Sequence, residues 1–243
     1  MKQTDPGKDL DERTARAVAH YWQTRTAWRQ KQESGGKADQ GLRSAVTGGA
    51  QMDGFIDLFS EAITRAGIPE RFIFRGKAAE LPGFFRPTNT WDLIVVRERQ
   101  LIAAIKVASQ TGPSFGDNLD SHMEKTLGHS LDFWAAFRER VYLDSPQPFL
   151  GYFLMLEDCE TSNQPVGIQE PHFKVLPEYV GASYMKRYEM FCRKLVLERH
   201  YSAAAFIKST ATDGLEGRFQ TPAADLSVEH VVKNLAEYSA AWA

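Results

Sequence analysis

Asp92 and Lys106 are the residues whose types and spacing could do chemistry together. They belong to two apolar runs, Trp91–Val96 and Leu101–Ala108, joined by Arg97-Glu98-Arg99-Gln100. Short, nearly all-apolar runs this close together predict adjacent strands of a hairpin, buried on both faces. Side chains alternate along a strand, so Lys106 and Ala108 point the same way, and Asp92 at the start of the partner run can face them. A carboxylate in such a place could hold a hard cation such as Mg²⁺. An ammonium could pair with that carboxylate, or position and polarise an attacking water.

Further groups have a chemical and a bland reading. Lys186, Arg187, Arg193 and Lys194, interleaved with Tyr184 and Tyr188, form a basic aromatic set that could track a phosphate backbone or simply be solvated. Arg86, in a stiff loop between prolines, could contact a phosphate or form an ion pair. Asp53 and Asp57 open a helix, where one could cap and the other face solvent. Glu124 sits near the start of a helix, where the helix dipole favours an acid in any case. His122 and His129, seven apart on that helix, read as structural or surface residues.

Several chemistries are disfavoured outright. Gly48-Gly49 lacks the Gly-Lys-Ser/Thr that would complete a phosphate-binding loop of the Walker kind, and no Gly-x-Ser-x-Gly elbow occurs. The six histidines and two cysteines, Cys159 and Cys192, have no zinc-ligand spacing.

The elements that must position these residues follow from periodicity. Asp9–Gln32 reads as an amphipathic helix ended by Gly35-Gly36, followed by a polar, Gly-rich stretch to Gly54. Phe55–Ala66 is a second helix and Phe72–Phe74 a short strand. Leu81–Thr90, with two prolines and a glycine, reads as a loop. After the hairpin, a Gly-rich loop from Gly112 to Gly116 leads into a long helix, Asn118–Tyr142, with Leu127, Leu131, Trp134, Ala135 and Phe137 as its expected core. Phe149–Leu156 is a third central strand and Asp158–Val180 a loop or lid. Ser183–Arg199 is a basic helix, Ala203–Ile207 a last strand, and Ser227–Trp242 a terminal helix. The order predicts an α/β fold, a central mixed sheet flanked by helices, in a single domain over residues 1–243 with an N-terminal helical segment at about 9–34.

Composition is compatible with that. The 243 residues suffice for a sizeable core, and 43% hydrophobic with 25% charged residues is ordinary for a folded chain. A formal net charge of -2 excludes a polycationic, histone-like binder, but not a protein with a local basic patch. No apolar run reaches the roughly 18 residues of a spanning helix. The start, Met-Lys-Gln-Thr-Asp-Pro, has no apolar leader core. A cytoplasmic location is expected.

The segment Trp91–Asn118 also resembles the active-site segment of the XhoI-like type II restriction endonucleases. The likeness is carried by Trp91-Asp92, the run Leu101 to Ile105, Ser109-Gln110 and Gly112-Pro113-Ser114-Phe115-Gly116. It continues in Ala45-Val46-Thr47-Gly48-Gly49, Met52-Asp53-Gly54-Phe55, Leu81-Pro82-Gly83-Phe84-Phe85-Arg86-Pro87, Leu156-Glu157-Asp158-Cys159, Glu170-Pro171-His172-Phe173 and Gly181-Ala182-Ser183-Tyr184 through Arg187-Tyr188-Glu189. The motifs span most of the chain in the family's order.

This resemblance implies a restriction-endonuclease-like fold, a homodimer, a palindromic duplex DNA site and Mg²⁺-dependent phosphodiester hydrolysis. The superfamily signature is an Asp, then Glu-x-Lys on the next strand. Asp92 matches the Asp, but Lys106 stands where the metal-binding Glu belongs and Ala108 where the catalytic Lys belongs. Ala50, Asp117 and His122 replace the usual Lys, Asn and Arg. Related nucleases place an acidic residue on the helix after the hairpin, which makes Glu124 the candidate second carboxylate; family members also often place an extra acidic contact to the metal site near the start of the second helix, where Asp53 and Asp57 lie. The site implied is therefore Asp92, Lys106 and Glu124 as catalytic residues, with Asp92 and Glu124 on the metal. Arg86, Ser114, Asn118, Lys186 and Arg187 are expected along the DNA. Three functions stay open: a nuclease, a non-cleaving DNA-binding relative, and a protein acting through protein contacts.

Overall fold

The computed structural model describes residues 6–34 and 49–243. The expected glycine stop at Gly35-Gly36 and the motif residues Ala45 to Gly48 lie outside the described residues.

A five-stranded sheet runs through the molecule. Its strands are β1 (Ile73–Arg75), β4 (Leu93–Arg97), β5 (Gln100–Gln110), β6 (Phe149–Glu157) and β7 (Ala203–Ser209), in the order β1-β4-β5-β6-β7. β1, β4 and β5 are antiparallel neighbours, whereas β5, β6 and β7 are parallel. The switch has a simple cause. β4 and β5 are joined by the two-residue turn Glu98-Arg99, both at positive φ (51° and 66°), which suits the right-handed twist of a hairpin. β5 to β6 and β6 to β7 are instead joined through helices, α3 (Phe115–Arg138) and α5 (Tyr184–Leu197), and such crossovers leave strands parallel. The mixed α/β sheet flanked by helices is the expected class.

Alternation along the strands divides the core. Leu93, Val95, Ile105 and Phe153 face α1 (Pro6–Ser34), α2 (Asp53–Arg65) and α7 (Val228–Ala240), whose Tyr21, Phe59 and Leu235 are buried against them. Ile94, Ala104, Tyr152 and Leu154 face α3 and α5 through Phe133, Tyr188 and Phe191. Ala108 packs on this second side. Lys106, an even number of residues away, projects to the same side.

Three expectations need correction. Leu81–Thr90 is not a plain loop: β2 (Glu80–Pro82) and β3 (Thr88–Thr90) pair antiparallel as a small separate hairpin. Its prolines sit at the last β2 residue and in the tip, where a missing amide costs no ladder bond. Leu131 is 52% exposed rather than core, because Phe133 and Ala136 are the α3 side chains turned inward. The 158–180 loop contains a short helix, α4 (Glu160–Asn163). Among the described residues no helix is long and apolar enough to cross a membrane.

Candidate functional site

Asp92 precedes β4 by one residue, yet its amide still joins the ladder, donating to the Ile105 carbonyl at 3.1 Å. This fixes Asp92 opposite the middle of β5. Its Oδ2 accepts the Val107 amide at 2.8 Å and lies 3.1 Å from Lys106 Nζ. The same ammonium donates to the Thr90 carbonyl at 3.4 Å. Both side chains are about one-quarter exposed, so water screens the pair but does not separate it.

The pair lies in a cleft of about 620 Å³. Gln51, Asp53 and Ile56 wall it at the start of α2, and Arg75 from β1. Lys106, Ala108 and Ser109 come from β5, and His122, Lys125, Thr126 and His129 from α3. The α3 residues recur at three- and four-residue intervals, which puts them on one helix face. Two buried tyrosines hold that face at Thr126: the Tyr201 hydroxyl donates to its carbonyl at 3.2 Å, and the Thr126 hydroxyl donates to the Tyr152 hydroxyl at 3.4 Å.

The cleft carries charges of both signs, and most of them are paired. Among the lining residues Arg75, Lys106 and Lys125 are cations, against the carboxylates Asp53 and Asp92. Burial and the nearby Lys106 and Arg86 charges push His129 down to about 4. Burial and Lys125 push His122 down to about 4 as well. Both imidazoles are therefore neutral at pH 7. Burial raises the Asp53 carboxyl, and neighbouring Asp57 adds to the shift. Asp53 does not cap α2: the capping position is Met52, and no side-chain cap bond forms there. Asp57 pairs with Arg75.

The other anticipated residues fall in different places. Glu124 is exposed and is not among the residues lining the cleft. Its neighbour Thr126 is buried, and Lys125, itself exposed, lines the cleft. Among the described residues no group of three or more His, Cys, Asp or Glu side chains converges as a metal cage. Ser114 is exposed at the capping position of α3 and makes no cap bond; Asn118 donates its amide to the Ser114 carbonyl at 3.3 Å. Arg86 lies 3.4 Å from the buried carboxylate of Asp132.

The basic face of α5 is not an open one. Lys186 pairs with Glu189 at 2.9 Å, Arg193 with Asp225 at 2.7 Å, and Lys194 with Glu178. Arg187 donates to the Val166 carbonyl at 3.1 Å, and Tyr188 is fully buried. The motif spacing located the cations, but not the acids brought to them from other elements.

His122, Lys125 and His129 are the residues that sequence reasoning placed elsewhere or passed over. Their signal was available in the 122-125-126-129 spacing on one helix.

A mixed sheet whose antiparallel hairpin carries the site, with a helix crossing behind it, defines a restriction-endonuclease-like α/β protein. The comparisons with known proteins agree. The family described as restriction endonuclease XhoI matches residues 31–221. The type II restriction enzyme BstVI of Geobacillus stearothermophilus is 47% identical over 203 residues, covering 82% of this chain and 90% of the relative. The type II restriction enzyme XhoI of Xanthomonas vasicola is 38% identical, covering 74% of this chain and 73% of its own. The type II restriction enzyme AbrI of Azospirillum brasilense is 40% identical, with 68% and 75% covered. No solved structure gives a significant match. The chain belongs to the XhoI restriction endonuclease family.

Proposed function

We propose that this protein binds duplex DNA at a palindromic site as a homodimer and does not cleave it by the metal-dependent route that the family resemblance implies. One observation carries the reading: Lys106 Nζ sits 3.1 Å from Asp92 Oδ2, on the carboxylate that should hold the metal. That oxygen already accepts the Val107 amide. Mg²⁺ takes one or two carboxylates beside phosphate and water oxygens; of the two that line the cleft, Asp92 is engaged by Lys106 and the Val107 amide, which leaves Asp53, and this set fits the ion poorly. A divalent cation about 4 Å from an ammonium meets roughly 8 kcal/mol of repulsion at an effective dielectric of about 20. Ala108 offers nothing to orient a water.

The same charges suit a phosphate backbone. Lys125 lines the cleft with Lys106, which stands beside Asp92, and counterion release on phosphate contact at these cations would supply affinity without any metal. Arg86, Ser114 and Asn118 extend the contact along the loop and helix beside it. Lys186 joins it only if its pair with Glu189 opens, and Arg187 only if its bond to the Val166 carbonyl gives way.

The second reading is a working nuclease, favoured by the 47% identity to a type II restriction enzyme. It would need Glu124 to reach the site and Lys106 to serve as the water-orienting ammonium.

The test is reconstruction. The double variant Lys106→Glu with Ala108→Lys rebuilds a carboxylate and an ammonium on one strand face. It should cut plasmid DNA with Mg²⁺ where the unmodified protein only retards it in a gel. If the unmodified protein cuts, and Glu124→Ala or Lys106→Ala abolishes the cutting, the second reading holds.

A further inference from the structure

The hairpin formed by β2 and β3 carries a feature that the cleft chemistry does not use. Its tip, Gly83-Phe84-Phe85-Arg86-Pro87, presents two large apolar side chains to solvent, Phe84 at 51% and Phe85 at 75% exposure. Their rings meet edge to face, with centroids 4.9 Å apart.

The tip is held firmly from beneath. Asp132 on α3 is 1% exposed, and its Oδ1 accepts the amides of both Phe84 and Phe85, at 2.9 and 2.7 Å. Its Oδ2 faces Arg86 Nε at 3.4 Å. Gly83 closes the turn by donating to the Pro87 carbonyl at 3.2 Å. A Cβ at Gly83 would stand 2.4 Å from Asp132 Oδ2, so only glycine lets the carboxylate sit this close. The Tyr142 hydroxyl ties the base of the hairpin by donating to the Pro82 carbonyl at 2.7 Å. A buried carboxylate spent on two exposed phenylalanines fixes their direction without burying them.

The position of the tip says what it meets. β3 ends at Thr90, which lines the cleft and accepts a bond from Lys106. A Cβ on Gly128 would lie 3.6 Å from the Arg86 guanidinium, one residue before His129 of the cleft wall. The aromatic tip and the cleft are therefore continuous. Two exposed aromatic rings on a hairpin tip beside a groove proposed to take a phosphate backbone can serve as an apolar wedge. Such wedges enter between base pairs, where unstacking is offset by aromatic contact.

We propose that Phe84 and Phe85 form a base-stacking wedge that enters a base step of the duplex held in the cleft. The inference rests on the DNA-binding reading. The wedge distorts the DNA and so contributes to the choice of sequence, because flexible steps open at lower cost.

The test uses duplexes enriched from a randomised pool by the unmodified full-length protein without divalent metal. 2-Aminopurine is then placed at successive positions of the enriched sequence. Saturating the duplex with unmodified protein should raise 2-aminopurine fluorescence severalfold at one step. Phe84→Ala with Phe85→Ala should weaken binding about tenfold or more, within the range for losing an aromatic–base stack. It should abolish the fluorescence rise at saturation and leave the slope of log Kd against log salt unchanged, because no phosphate contact is lost. Phe85→Trp should keep the rise.

Retention of DNA with no fluorescence rise at any position overturns the wedge and leaves DNA binding standing. So does a double variant with unchanged affinity. Sedimentation showing that the double substitution converts a dimer to a monomer, with no fluorescence rise in the unmodified complex, also overturns it and assigns the tip to a second copy. If the unmodified protein enriches no duplex, the DNA-binding reading fails and the wedge fails with it.

Discussion

At the scale of single residues, Asp92 is proposed to have exchanged a metal for an internal partner. In the family signature its carboxylate shares a metal with a glutamate; here it accepts a backbone amide and an ammonium on the same oxygen. Asp92→Ala should therefore cost about 1–3 kcal/mol, because the Val107 amide of a buried strand loses its acceptor. Asp92→Asn keeps an acceptor there and should cost less, as denaturant unfolding would register. The neutral histidines give the cleft a pH signature. Their folded pKa values of about 4 lie below the ordinary 6.5, so the unfolded chain binds protons that the folded one refuses. The stability they contribute is fully present above pH 6.5 and is lost as pH falls toward 4. His122→Asn with His129→Asn should shrink the loss of stability between pH 7 and pH 4.5. An unchanged acid loss would mean that carboxylates elsewhere account for it.

At the scale of elements, the hairpin of β4 and β5, the crossover helices and the three central strands were legible because apolar runs and helical spacing are local signals. The β2–β3 hairpin was not. Its prolines and glycine read as loop, and its pairing depends on Asp132, 48 residues beyond Phe84 in sequence. The neutralised face of α5 was equally hidden, since Glu178 and Asp225 reach its cations from separate segments. For the site, Asp92 and Lys106 were legible from strand alternation. On α3 the sequence offered Glu124 as a candidate, while Lys125 and His129 are the residues that line the cleft. Helix phase relative to a sheet is set by packing, here by Tyr152 and Tyr201 at Thr126, and not by the helix's own sequence. Asp132→Ala should free the β2–β3 tip. We expect a destabilisation of about 1–3 kcal/mol from the lost carboxylate bonds, together with faster amide exchange at Phe84 and Phe85.

At the scale of the whole molecule, a net charge of -2 means that the proposed DNA contact must rest on local cations such as Lys106 and Lys125, not on overall charge. A two-fold protein matches a two-fold site, so light scattering should find a dimer, free or on duplex DNA. A monomer under both conditions would remove the basis for a palindromic site. The central claim is that an internal ion pair has taken the metal's place while DNA binding persists. The most direct measurement incubates the unmodified protein with supercoiled plasmid in Mg²⁺ and, separately, Mn²⁺, and scores retardation and strand breakage on the same samples. Retarded plasmid that stays intact is the predicted result; cutting at defined positions would contradict the account.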